Sequence, residues 1–528
     1  MPSLDSPLRR LPTSIPALLV ASLALGACSS DPSGQGGTGG ATTTATGGGG
    51  GTGGTMESPP TGQLPEHPRT LPFDFTRPEA GSPLTSDEVS AATQDYLDLL
   101  KGTRWFATVA ERAHGWPKTD PAGGYWYATW WSGIAVKREG GKVTFTHSAD
   151  GADNNGLRTA QLLEGACYAT ALWKRPEHEL LTRRLVRGFT SWSLAMERQA
   201  GDETFLLARA AYPVPVESTE APLPLFIDTT ASRPGVDAEP SEYIHLPDNP
   251  SWPDLWTKNK RSKDDIGHML RALGEIDTCD GALGAEAGGE LTELRRRYEG
   301  FSRRVVSDDF AIASLDKGLE EYVPPESLAH FIKFLECTAL LTLEITGHGA
   351  PVSADCGDGY DPVPEGTDGI KGGAMQIVRS FHAAATQQAL IHAHPDLAKT
   401  LMTGLVKRLD TVMDLIDAGT PPENFATKDL TAFLLHAAAA GVPLTAREGR
   451  FLHARIAEAA STYLDPAALP QYDLFQPAGA DGDYGFEPGG EGIDFKDIGL
   501  FLGLCASQYR NPTNVPVLDC AMVEGFSP

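Results

Sequence analysis

Apolar residues that return every three or four positions, in one stretch after another, constrain this chain more than any other feature. Leu181, Leu185, Phe189, Trp192 and Met196 mark one such face, and Leu291, Leu294, Tyr298, Phe301 and Val305 a second. A third runs through Leu328, Phe331, Ile332, Leu335 and Ala339 after Pro324-Pro325, and a fourth through Leu397, Leu401, Leu405, Leu409 and Val412. That spacing predicts amphipathic helices, each with an apolar stripe to bury. Further helical stretches begin at Thr85-Ser86-Asp87-Glu88 and reach toward Arg112, follow Gly156 as LRTAQLLEGACYATALW, and cover 371–393, 428–441, 446–463 and 494–508. The pattern yields about eleven helices, many joined as hairpins by short turns. Strand signals are sparse. IAVKRE and KVTFT flank Gly140-Gly141, which predicts a small β-hairpin near 131–146. The fold class is therefore mainly α.

Three connections break the helical rhythm, at 199–261, 348–370 and 464–493. Connections of that length within a compact body usually carry function. They hold Tyr243, His245, Trp252 and Trp256 in the first, Asp355, Asp358 and Tyr360 in the second, and Asp481, Asp483 and Tyr484 in the third. The first leads into WPDLWTKNKRSKDDIGHMLRALGEI, Trp252–Ile276. Within it Ile266, Met269, Leu270 and Leu273 form an apolar stripe. Ser262 occupies an N-cap position, with Asp265 three residues on as in a capping box. Asp264, His268, Arg271 and Glu275 make a polar stripe beside the apolar one. A helix mouth with acids, a histidine and flanking tryptophans is a candidate working site, although acids in a first turn also serve the helix dipole alone.

The chain opens with Arg9-Arg10 and an apolar run from Leu18 to Leu25, closing as Leu25-Gly26-Ala27-Cys28. A basic start, a short apolar core and small residues before the cut describe an export signal, too short to span a membrane. Its ending resembles the lipobox of bacterial lipoproteins. That resemblance implies cleavage before Cys28, lipidation of Cys28 and, with Ser29 next, sorting to the outer membrane of a Gram-negative bacterium. From Ser29 to about Pro60 the composition collapses to Gly, Thr and Ser, the signature of a flexible tether. The expected organisation is a signal peptide over 1–27, a tether over 28–60 and one folded domain over 61–528.

A net charge of -26 repels phosphate backbones, so nucleic acid is excluded as a partner, and membrane contact is expected through the lipid alone. Six cysteines remain beyond Cys28. Export permits disulfides among them. Cys505 with Cys520 would tie the C-terminal tail to the last helix, Cys337 with Cys356 would brace a loop, and Cys167, inside a helical pattern, reads as a buried thiol. No CxxC or Cys/His zinc spacing is present, and His392-Ala393-His394 with Asp396 reads as surface histidines, with Pro395 ending a helix. Asp150, Asp153 and Asn155 lie close enough in sequence to be considered for calcium, or simply as caps before a helix. No GxSxG, P-loop or Rossmann fingerprint occurs.

Helical hairpins joined by long loops rich in acids and aromatics are similar to the (α/α) toroids of glycoside hydrolases, polysaccharide lyases and sugar epimerases. The resemblance covers roughly residues 85–510 and is one of architecture. It implies a cleft at one end of a helical ring, lined by aromatic and acidic side chains. Hydrolysis of a glycosidic bond would need two carboxyls across it, ~5–5.5 Å or ~6.5–9.5 Å apart. Asp264 and Asp265 diverge by about 100° on a helix, so one of them facing Asp153, Asp150 or Asp497 fits better than the adjacent pair. A lyase would instead use His268, Tyr243 or Tyr484 as base or acid, with Lys260, Lys263 or Arg158 neutralising a uronate. Trp252 and Trp256 would stack on sugar rings. The alternative is a non-catalytic lipoprotein that binds glycan or protein.

Overall fold

The computed structural model describes residues 71–78, 81–112, 134–139, 142–147, 155–197, 205–208, 210–213, 243–246, 249–251, 255–258, 279, 283, 288–307, 312–314, 320–322, 382–383, 385–387, 389–390, 394–419, 427–464, 482–484, 493–506 and 516–526. The chain divides into Met1–Thr61 and Gly62–Pro528, and every described residue belongs to the second unit. Helix dominates there, as the apolar periods predict.

Helix α1 spans Ser86–Gly102 and opens on a capping box: Thr85 Oγ1 accepts from the Glu88 amide, and the Thr85 amide donates to Glu88 Oε2 at 2.7 Å. The single helix expected to Arg112 is instead two. Arg104 takes φ +49, a left-handed backbone that cannot continue the ladder, and α2 (Trp105–Arg112) starts beyond it with Trp105 fully buried. Helices α3 (Asn155–Trp173) and α4 (Pro176–Leu194) form a hairpin with Pro176 in the first turn, where its missing N–H is harmless. Asn249 returns from a distant connection to close the end of α4, its amide donating to the carbonyls of Leu194 and Glu197. Helix α5 (Gly288–Ser307) packs on α4 and is pinned by Arg297, which reaches Glu197 at 2.7 Å.

Helix α6 (Pro395–Asp417) corrects one expectation: Pro395 starts a helix rather than ending one, and His394 is its N-cap residue. Helices α7 (Thr427–Ala439) and α8 (Ala446–Tyr463) follow, the latter with a second capping box from Thr445 and Glu448. Arg77 ties the N-terminal lead-in to this region through Glu448 at 2.8 Å and Asp410 at 2.6 Å.

Phe495–Leu502 is buried at every position, a 3-10 helix continued by α9 (Gly503–Ala506) where one α-helix was predicted. Aromatic donors from three elements take carbonyls along it and just before it. Tyr96 donates to Ile498 at 2.9 Å, Trp105 to Phe495 at 2.8 Å and Tyr463 to Ile493 at 2.8 Å. Backbone oxygens buried here therefore find partners that a regular helix would not supply. Gly165 of α3 lies against Gly499 so closely that a Cβ on Gly499 would stand 3.0 Å from the Gly165 Cα and 2.5 Å from the Trp105 ring.

Cys505 and Cys520 form the expected disulfide, Cα atoms 5.3 Å apart, which joins α9 to α10 (Cys520–Gly525). Cys167 corrects the buried-thiol reading. It pairs with Cys279 across 112 residues, Cα atoms 4.9 Å apart. Cys337 and Cys356 lie outside the described residues.

Short strands complete the described structure. β1 (Ile134–Glu139) pairs antiparallel with β2 (Lys142–His147), Glu139 opposite Lys142. β3 (Ala210–Pro213), β4 (Tyr243–Leu246) and β5 (Leu255–Lys258) make a sheet ordered β3-β5-β4, while β6 (Ile312–Ser314) pairs with β7 (Glu320–Tyr322). β8 (Gly482–Tyr484) joins the far side of β1.

Candidate functional site

Charge is concentrated where α3, α7 and the 3-10 helix meet. Helix α3 carries one acid, Glu164, in a run that is otherwise uncharged after Arg158, and its side chain is fully buried. Its Oε2 lies 3.0 Å from Nε2 of His436, which α7 supplies from an equally apolar run, LTAFLLHAAAA. Gln161, one turn earlier on α3, is also buried. Asp494, Lys496 and Asp497, all less than a tenth exposed, stand at the start of the 3-10 helix. The Lys496 ammonium pairs with Asp494 and lies 3.7 Å from Asp497 Oδ2.

The register of the packing brings these groups toward one another. Gly165 meets Gly499, and Tyr168 meets Gly503, so α3 and the 495–506 segment run in the same direction along their contact. The same run carries Gln161 and Glu164 toward the Asp494–Asp497 turn. Isolated charges would be costly at such depth, and groups held in pairs are what burial permits. The arrangement offers three carboxyls, an imidazole and an ammonium, enough for proton transfer and for stabilising a developing charge.

Of the predicted site residues, six stand on described backbone: Asn155 opens α3, Asp497 lies in the 3-10 helix, and Arg158, Tyr243, Trp256 and Tyr484 are the others. Arg158 belongs to the first turn of α3. Tyr243 and Trp256 meet in the β3-β5-β4 sheet, where Tyr243 is opposite Lys258 and Trp256 is opposite both His245 and Tyr212. Tyr484 is opposite Val136, so the 464–493 connection is stitched to the β1–β2 hairpin. Asp153, Trp252, Lys260, Lys263, Asp264, Asp265 and His268 lie outside the described residues, as do Asp150 and Cys28. Among the described residues no cluster of His, Cys, Asp and Glu is arranged to hold a metal ion, and no helix is long and apolar enough to cross a membrane.

Glu164 and His436 escaped the reading of motifs, yet each had a signal: a lone titratable residue inside an apolar helical run. No protein family, curated protein or solved structure matches the chain.

Proposed function

We propose that this chain is an exported lipoprotein, anchored through Cys28, whose helical body is an (α/α) toroid acting on carbohydrate. Its reaction class is glycoside hydrolysis, or elimination from a polysaccharide. The observation that carries the reading is the buried Glu164–His436 pair, with Glu164 on a helix packed along the segment that carries Lys496 and Asp497. Buried titratable groups gathered at one junction are a recurrent mark of working sites. Glu164 and Asp497 are our candidates for the two carboxyls, His436 exchanges a proton with Glu164, and Lys496 balances the charge of Asp497. The β3-β5-β4 register sets Trp256 opposite both Tyr212 and His245, with Tyr243 opposite Lys258, residue types that suit a sugar-binding surface.

A second reading, a non-catalytic glycan-binding lipoprotein, is favoured by one feature. Glu164 is wholly covered, and a substrate must reach any group that reacts with it. Release of sugar from a broad glycan panel by the full chain separates the two. The enzyme reading expects E164Q and D497N each to slow release by about a hundredfold or more, the usual worth of a general acid or base, with helical content unchanged. Asp264→Asn tests the helix mouth in the same assay. Variants as active as the parent would remove the assigned roles. A folded parent silent on every glycan, yet saturable by one of them, would establish the binder instead.

A further inference from the structure

We propose that a second site, the pocket between the α1–α2 turn and the start of α4, binds a small hydroxyaryl carboxylate. The pocket has a volume of about 370 Å³, the size of a small organic molecule rather than a chain. Trp105, Phe106 and Leu181 supply apolar walls. His178 lines it from α4, is 2% exposed, and finds no hydrogen-bond partner for either ring nitrogen among the described residues. Its ring is held edge-on by Phe106, centroids 4.4 Å apart, and meets Trp173 at a tilt, centroids 5.5 Å apart. The imidazole is thus fixed in place by aromatic contacts while its polar atoms go unused.

A neutral imidazole presents one donor and one acceptor. A hydroxyl group is also both, so an aryl hydroxyl entering the pocket would serve one of the two ring nitrogens and relieve part of an unmet desolvation cost. At the mouth, Lys101 and Arg104 are exposed cations that line the same pocket, and they fit an anionic end on the ligand. Glu177 lines it too, but Arg175 lies 3.6 Å from its carboxylate and offsets it. A flat ring with a hydroxyl inward and a carboxylate outward matches floor, wall and rim together.

Titration calorimetry of the full chain in detergent with 4-hydroxybenzoate, and with benzoate as the comparator lacking the hydroxyl, tests this. The expected result is saturable binding of 4-hydroxybenzoate, weaker binding of benzoate, and an H178F variant in which the first loses about tenfold while the second is unchanged, the scale of one lost hydrogen bond. K101E should weaken both. No saturable binding at millimolar ligand overturns the proposal, as does H178F that leaves the preference for the hydroxyl intact. Should H178F not fold, equal affinity of the parent chain for the two ligands overturns it as well.

Discussion

Glu164 and His178 belong to the two helices of one hairpin, both are buried, and their surroundings treat them in opposite ways. Glu164 faces an imidazole at 3.0 Å within a junction that also gathers Lys496 and Asp497. His178 faces aromatic edges and a pocket, with its nitrogens unserved among the described residues. The first arrangement sets buried charge against buried charge, Glu164 beside His436 and Lys496 beside Asp494. The second leaves a buried polar group waiting for something from outside. Removing a member should therefore hurt in the first case and help in the second, and that contrast can be broken or sharpened by substitution.

The largest effect is expected at Lys496. K496M takes away the cation that pairs with Asp494, 7% exposed, and lies 3.7 Å from Asp497, 3% exposed. Loss of one partner from a buried pair typically costs about 3–5 kcal/mol, so urea unfolding should show a midpoint far below that of the parent. A loss near zero would mean that the network is wetter than its burial implies, and the comparison with His178 would lose its first half.

A smaller loss is expected at the crossing that holds the network in register. In G499A the new methyl meets the Trp105 ring and the Gly165 backbone, neither of which can swing aside. Overpacking of this kind costs about 1–3 kcal/mol. G419A is the control. Gly419 has φ +69 and open space around its Cβ position, so its penalty is backbone strain alone. A larger loss at 419 than at 499 would show that the α3 crossing is looser than its distances.

These two sites also mark where the sequence could and could not be read. The signal at Thr85-Ser86-Asp87-Glu88 located a helix start because a cap is local chemistry, complete within four residues. The apolar stripes of α4, α5 and α6 were legible for a similar reason, since one face per helix must be buried. The break at Arg104 was not, because a left-handed arginine carries no mark in the sequence and is imposed by the burial of Trp105. The 3-10 geometry of Phe495–Leu502 escaped for a related cause: its carbonyls answer to Tyr96, Trp105 and Tyr463, hundreds of residues away in two of the three cases. RSKDD is dense in acids, whereas α3 and α7 each bury a single acid or histidine in an apolar run, Glu164 and His436. In a core it is rarity, not density, that flags a group whose presence needs a reason.

The smallest effect concerns His178 and pH, and it isolates the second half of the comparison. Burial, reinforced by Arg175 and opposed by Glu177, lowers the His178 imidazole from its ordinary 6.5 to about 4. The unfolded chain takes up a proton near 6.5, while the folded chain waits until about 4. Across that window the unfolded state binds more protons, so stability is full above it and declines as pH falls through it. Carboxylates titrate toward the lower end of the same window, and the useful quantity is therefore the difference between the parent and H178F. H178F should melt at or above the temperature of the parent at neutral pH, because an unmet polar group has gone. Its advantage should widen between pH 6.5 and pH 4, then stop growing once both states of the parent histidine are charged. An advantage that stays constant with pH would mean that His178 is already protonated or partnered in the folded chain, and a paired imidazole would have no reason to hold a ligand.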